Sequence, residues 1–243
     1  IKFDDFLKEN KNLKNVSLNV QGNIKIKDSQ CLVKALKDND NIDSLSINRC
    51  YFRKNNNYFK EISKILIDNN KIKNLDLSDC KLGIKAEELF NIEELVKNNN
   101  FIENLNLSEN DLFDYLKSTC KSDLGFSVND NIKILNLDKN HIGNSISGFK
   151  SFCKALETNK KLEHLSLNEN KIGKYSQNIE NLSDALEKND SIKKLFLNDN
   201  NFGKKYKKEF IILMKILFEI GNFEEIALNN LLIPNKNTNE YNN

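Results

Sequence analysis

Hydrophobic residues recur along this chain in a fixed frame. The segments LKNVSLNVQ, IDSLSINRC, IKNLDLSDC, IENLNLSEN, IKILNLDKN, LEHLSLNEN, IKKLFLNDN and FEEIALNNL align without gaps. Their first central apolar residue falls at Val16, Leu45, Leu75, Leu105, Leu135, Leu165, Leu195 and Ile226, so the spacing is 30 residues five times running, with 29 before and 31 after. Self-similarity at such a period predicts stacked, equivalent units. In LDLSDCKLG the alternation puts Leu75 and Leu77 on one face and Asp76 and Ser78 on the other, which predicts a short strand with one buried side. A helical register precedes each strand: Leu36, Leu66, Val96, Phe126, Leu156, Leu186 and Leu217 stand six residues before Ile42, Ile72, Ile102, Ile132, Leu162, Ile192 and Phe223. Each unit therefore reads as strand, turn, helix and return. Repeat four, DLFDYLKSTCKSDLGFSVNDN, lacks the clean helical pattern and carries Gly125, so its helix is expected to be short or shifted.

Five residues after the first apolar position stand Cys50, Cys80, Asn110, Asn140, Asn170 and Asn200. An amide at this point has the donors and the acceptor needed to satisfy the backbone of a buried turn. Three residues farther on, Gly83, Gly143, Gly173 and Gly203 suit a tight bend into the helix. The pattern LxxLxLxxN/CxxG, followed by a helix ending in ALxxNxxL, resembles the leucine-rich repeats of ribonuclease inhibitor and its relatives over about residues 13 to 233. That resemblance implies an α/β solenoid, a horseshoe with a parallel sheet on its concave face and helices on its convex face. The pattern weakens at the ends, where Gln21 and Leu231 replace Asn/Cys and Pro234 replaces glycine. One domain is expected over 1–243, with 1–12 a cap or truncated repeat and 234–243 a flexible tail.

Parallel stacking sets equivalent positions side by side, so the concave face can be read in columns. Lys14, Asp43, Lys73, Glu103, Lys133, Glu163, Lys193 and Glu224 alternate in sign at every step, as a ladder that fixes register would. Ser17, Ser46, Asp76, Asn106, Asn136, Ser166, Phe196 and Ala227 form the middle column; Asn19, Asn48, Ser78, Ser108, Asp138, Asn168, Asn198 and Asn229 run beside it. These are short and polar, and Asn136 is expected to be a spectator to folding where Leu135 is core. Toward the C-terminal end His164, Lys194 and Phe196 come together, with Glu169 and Asp199 on the rim. An aromatic residue on a polar sheet is the feature most like an interface anchor. The partner-binding candidates are Asp76, Asn106, Asn136, Asp138, His164, Ser166, Lys194, Phe196 and Asn198.

Charge adds little: 37 basic and 35 acidic side chains leave a net charge of +2, without the local clustering of a nucleic-acid footprint. The basic tract from Lys204 to Lys208 reads as a solvated helix start. No run approaches the roughly 20 apolar residues of a membrane span. Cys31, Cys50, Cys80, Cys120 and Cys153 lack zinc-type or disulfide-framework spacing, which favours a reducing, cytoplasmic setting, or a host-cell cytosol for a secreted effector. The sequons at Asn15, Asn106, Asn181 and Asn189 are those an asparagine-rich chain produces by chance. The chain opens on Ile1 and is expected to be a processed form or a segment of a longer protein. His141, in a turn, and His164 are the only histidines, and no phosphate loop, nucleotide motif or paired metal-ligand spacing occurs. The sequence thus points to a non-enzymatic, monomeric protein-interaction module without cofactor, binding a protein partner on the concave face. The alternatives are the recognition domain of a bacterial or parasite effector, or a RanGAP-like GTPase regulator, which would need a catalytic side chain on a rim loop that cannot be picked out here.

Overall fold

The computed structural model describes residues 9–10, 12–23, 32–34, 36–37, 39, 41–52, 57–83, 86–113, 123–203 and 205–228. Eight strands, β1 (Asn15–Asn23), β2 (Ser44–Tyr51), β3 (Asn74–Asp76), β4 (Asn104–Asn106), β5 (Ile134–Asn136), β6 (His164–Ser166), β7 (Lys194–Phe196) and β8 (Glu225–Ala227), form one sheet in chain order. Every pairing is parallel, and the register joins Val16, Leu45, Leu75, Leu105, Leu135, Leu165, Leu195 and Ile226 in one row. The row is that of the 30-residue repeat. Between the strands run α1 (Asn57–Asp68), α2 (Ala86–Asn98), α3 (Ile146–Thr158), α4 (Ser176–Lys188) and α5 (Lys207–Ile220). The architecture is a leucine-rich-repeat solenoid: sheet on the concave side, helices on the convex side. Helices are wider than the strand spacing of about 4.8 Å, so the stack bends toward the sheet.

The core lies between these layers. From Leu45 to Leu195 the first strand leucines are at most 3% exposed, and so are Leu66, Val96, Phe126, Leu156 and Leu186 from the helical half. In α3 the side chains of Phe149, Phe152, Cys153 and Leu156 are buried, and Ser145 caps its start by accepting from the Gly148 N–H at 3.1 Å. Phe152 meets Phe126 edge-on at 6.1 Å. Ahead of β5 the described chain is a turn at Leu124–Val128; the earlier part of repeat four, 114–122, lies outside the described residues. So do the expected cap, apart from residues 9, 10 and 12, and the expected tail, 234–243.

The expected asparagine ladder is present and continuous. Oδ1 of Asn170 accepts from the N–H groups of Asn140 and Ile142 at 2.8 and 3.3 Å, while its Nδ2 donates to the carbonyls of Leu137 and Asn168 at 2.8 and 3.1 Å. Asn110, Asn140 and Asn200 repeat this arrangement. Where cysteine substitutes, the Cys80 thiol donates to the Ile47 carbonyl at 2.8 Å, and burial pushes the thiol pKa far up. Cys50, Cys80 and Cys153 are buried free thiols; Cys31 and Cys120 lie outside the described residues.

Two features depart from expectation. Gly83, Gly143 and Gly173 are needed for close approach between repeats rather than for a bend only glycine can make: a Cβ on Gly143 would stand 2.1 Å from the Lys171 carbonyl oxygen, and one on Gly83 2.2 Å from that of Asp111. Gly203 alone of the four has the left-handed backbone of a bend, with φ of 73°; elsewhere that conformation is carried by the residues flanking each ladder asparagine, Glu109 and Asp111, Lys139 and His141, Glu169 and Lys171, Asp199 and Asn201, with φ of 55° to 60°. Each such residue costs on the order of 1 kcal/mol, offset by the buried amide the turn closes around. A second ladder, formed by the asparagine of the ALxxNxxL motif to which the sequence reading gave no role, runs at the helix ends. Oδ1 of Asn159 accepts from the N–H groups of Lys161 and Leu162, and its Nδ2 donates to the Phe126 and Asn129 carbonyls. Asn99, Asn129 and Asn189 do the same. The sequon asparagine Asn189 is therefore tied into the core.

Candidate functional site

The open face of the sheet carries all nine candidate residues. Asp76, Asn106, Asn136, Ser166 and Phe196 follow the buried leucine on β3 to β7 and are in register across the strands; His164 and Lys194 precede it on β6 and β7. All are half-buried, as are Asp138 and Asn198 in the turns after β5 and β7. A hollow of about 410 Å³ collects Asn136, His164, Ser166, Lys194 and Phe196, together with Ile134, Asn168 and Glu225. A smaller one, about 230 Å³, takes in Asp76, Asn106 and Asn136 with Ser44, Ser46, Asn74, Asn104 and Ile134. Asp138 and Asn198 line neither. Ile134, which the sequence reading passed over, is 39% exposed; its signal was an apolar side chain in a column otherwise occupied by Ser44, Asn74, Asn104, His164 and Lys194.

The open-face polar groups also serve the backbone, which corrects the view of Asn136 as a spectator. After each short strand the chain turns, and one N–H there points to no strand partner. In β3, β4 and β5 the residue two before supplies the acceptor: Asp76 Oδ1 takes the Ser78 N–H at 2.9 Å, Asn106 Oδ1 that of Ser108 at 3.1 Å, and Asn136 Oδ1 that of Asp138 at 2.9 Å. Ser166 turns its hydroxyl to Asp138 instead, and Phe196 has no acceptor to offer. There the acceptor comes from the preceding repeat: Asp138 Oδ1 takes the Asn168 N–H, and Asn168 Oδ1 the Asn198 N–H, each at 2.7 Å. Asp138 also accepts from Ser166 Oγ at 2.6 Å and Asn168 Nδ2 at 3.2 Å. Its carboxylate is thus occupied inside the protein.

This change of cap leaves position 196 without a backbone duty, and an aromatic ring stands there between the small side chains of Ser166 and Ala227. Lys194 Nζ lies 3.7 Å from Glu225 Oε2, both partly exposed. Below this patch the charge column forms its ladder: Lys133 reaches Glu103 at 2.9 Å and Lys193 reaches Glu163 at 2.8 Å, while Lys73 stands 4.0 Å from Glu103. Hydrogen bonds from the lysines hold the Glu103 and Glu163 carboxyls below the usual range.

The rim beside the open face is a shallow groove of about 380 Å³ lined by the left-handed turn residues. Glu169 and Asp199 line it, on the rim where the sequence reading placed them. The charges are mutually compensated: Lys139 bridges Glu109 at 3.3 Å and Glu169 at 3.7 Å, Lys81 bridges Asp79 at 3.4 Å and Asp111 at 3.5 Å, and His141 faces Asp111 at 3.7 Å. Among the described residues no group of three or more His, Cys, Asp or Glu side chains could hold a metal ion, and no helix is long and apolar enough to cross a membrane.

No protein-family model matches the chain, and no curated protein sequence matches it. Solved structures similar to it include one of leiomodin-1 actin-binding site 2, with 14% identity and a TM-score of 0.44, covering 81% of this chain and 90% of that one. Another is the C-terminal domain of tropomodulin from Caenorhabditis elegans, with 11% identity and a TM-score of 0.44, covering 79% of this chain and 93% of that one. At that identity and score neither bears on function or partner.

Proposed function

We propose that this chain is a non-enzymatic protein-binding module, a single leucine-rich-repeat domain of the ribonuclease-inhibitor-like kind, and that it takes its partner on the open face over β5 to β7. The observation that carries the reading is Phe196. A half-buried aromatic side chain stands in the column where Asp76, Asn106, Asn136 and Ser166 are polar, and Asn168 has taken over the cap that the position would otherwise supply. A few anchoring residues that become fully buried on binding, aromatic ones prominent among them, carry most of the binding energy at protein interfaces. Ile134, His164 and Lys194 complete a patch with an apolar body and cationic edge.

The test is capture of partners by the full chain and by a variant combining His164→Ala, Lys194→Ala and Phe196→Ala, after thermal melts establish that both fold. A protein held by the wild-type chain, lost by the variant, and binding the purified wild-type chain directly supports the reading. A direct partner retained equally by both overturns it.

A further inference from the structure

The outer face of α5 differs from those of its neighbours in polarity. Aligned on Leu156, Leu186 and Leu217, Ile211 takes the place of Lys150 and Glu180, and Phe218 that of Glu157 and Glu187. The two stand two turns apart along one line of the helix, while α5 meets the core through Phe210, Leu213 and Leu217. Phe218 is 79% exposed. Its position accounts for this, not its place at the last helix of the stack: Glu180 and Glu187 are exposed although α5 packs against α4.

The charges of α5 also run against its own dipole. A helix favours acidic residues at its start and basic ones at its end; α2 opens with Glu87 and Glu88 and closes with Lys97, and α4 closes with Lys188. α5 opens with Lys207 and Lys208, ahead of Glu209, and carries Glu219 where α4 has Lys188, with no basic residue in its last turn. Lys208 and Glu219 are both exposed. This order does nothing for the helix alone. It fits a helix running the other way.

We infer that α5 pairs with α5 of a second copy of this chain, antiparallel, about a two-fold axis beside Met214 and Lys215. A two-fold lets one patch serve as both halves of the contact. Ile211 of each copy then meets Phe218 of the other. At about 100° and 1.5 Å per residue, Lys208 of one copy lies on the same flank as Glu219 of the other, within about one turn along the axis. Lys215, beside the axis, is exposed and carries its charge into solvent. An anionic lipid surface would suit Lys208 and Lys215 but would meet Glu219 and Glu224 as well; a second copy answers both signs. The contact lies on the convex side, so it leaves the open face of each copy free and stands or falls apart from the function proposed above. One helix from each copy makes a contact at the small end of specific interfaces, so the chain associates weakly and reversibly where the sequence reading expected a monomer.

Sedimentation equilibrium of the full chain over roughly 5 to 500 μM is the test, with a dimer dissociation constant of roughly 10 to 100 μM expected. Phe218→Asp should weaken association at least about tenfold and leave the melting temperature of the dilute protein unchanged. Lys208→Glu and Glu219→Lys should each weaken self-association, because each sets like charges together twice in the symmetric pair, whereas an equimolar mixture of the two should associate as the wild-type chain does. A chain monomeric throughout this range, a dimer indifferent to Phe218→Asp, or charge variants whose mixture associates no better than either alone would overturn the inference. So would a monomer that sediments with phosphatidylserine vesicles and is released by Phe218→Asp, since the face would then belong to a lipid surface.

Discussion

Strands β3 to β5 and strands β6 and β7 solve one problem in two ways. In the first group each turn is capped from within its own repeat, by Asp76, Asn106 or Asn136; in the second the cap crosses from the preceding repeat, from Asp138 or Asn168. The first arrangement fixes the identity of the open-face residue, since only a short acceptor at that place reaches the turn. The second moves the requirement one repeat back and frees the open-face position, and there the chain places Ser166 and Phe196. A buried or half-buried N–H must find an acceptor, so the place where the protein can put a recognition residue is set by where that acceptor is supplied.

The largest effect expected within this comparison belongs to the ladder common to both groups. Asn170→Ala removes an acceptor for two buried N–H groups and a donor for the buried Leu137 carbonyl; the partly buried Asn168 carbonyl keeps the Lys139 N–H. At roughly 1 to 3 kcal/mol for each group left without a partner, partly relieved by water, a loss of about 3 to 5 kcal/mol is expected in urea unfolding. A loss under about 1 kcal/mol would mean that the stack does not depend on the amide, and the two groups of turns would then need another explanation.

The turn caps come next. Asn168→Ser should cost about 1 kcal/mol, because it uncaps the Asn198 N–H. Adding Phe196→Asn should recover most of that loss by giving the last turn the internal cap used by Asn106 and Asn136. The double-mutant cycle is the measurement, and simple additivity would break the proposed exchange of caps. In the first group Asn136→Ala should cost about 0.5 to 1.5 kcal/mol and Asn136→Asp close to nothing; equal losses for the two would show that side-chain size rather than the acceptor matters there.

Much of this could be read in the chain before its structure. The leucine row, the Asn/Cys ladder and the alternating charge column depend only on equivalent positions lying side by side, which a fixed period guarantees. The second ladder was half seen: its asparagine stands in the motif ALxxNxxL, as Asn159 and Asn189 with Asn99 and Asn129 at the same 30-residue spacing, but it was given no role, because what it bonds is set by the return of the chain from the helix. Gly83, Gly143 and Gly173 were noticed and given the wrong reason, since a clash with the next repeat is a relation between chains of atoms 28 or more residues apart, whereas a bend is local; for Gly203, with φ of 73°, the bend was the right reason. The cap exchange left a trace as well, with Ser78 and Ser108 ahead of the self-capping Asn106 and Asn136, and Asp138 and Asn168 ahead of Ser166 and Phe196. Asn48, ahead of self-capping Asp76, does not follow this rule, and its Oδ1 is buried without a hydrogen bond. Such a rule becomes visible only once the turn geometry shows which N–H needs an acceptor.

The smallest effect is expected from the charge ladder, which runs past both groups of turns alike and so serves as the control. Hydrogen bonds from Lys133 and Lys193 lower the carboxyl pKa values of Glu103 and Glu163 from the ordinary 4.5, so the stabilisation is complete above about pH 4.5 and is lost as pH falls through the lowered values. The same bonds raise the lysines above 10.5; their contribution is complete below that pH and is lost as pH rises through the raised values. Between these limits the ladder should add no pH dependence, and because its groups face solvent it should fade at molar salt, where screening acts within about 3 Å. Melting temperatures of the wild-type chain and of Lys133→Gln should therefore differ slightly at neutral pH and low salt, and converge both in acid and at high salt. A difference that persisted in molar salt would mean that Lys133 acts through packing of its alkyl stem, and the ladder would no longer count as an electrostatic device for holding register.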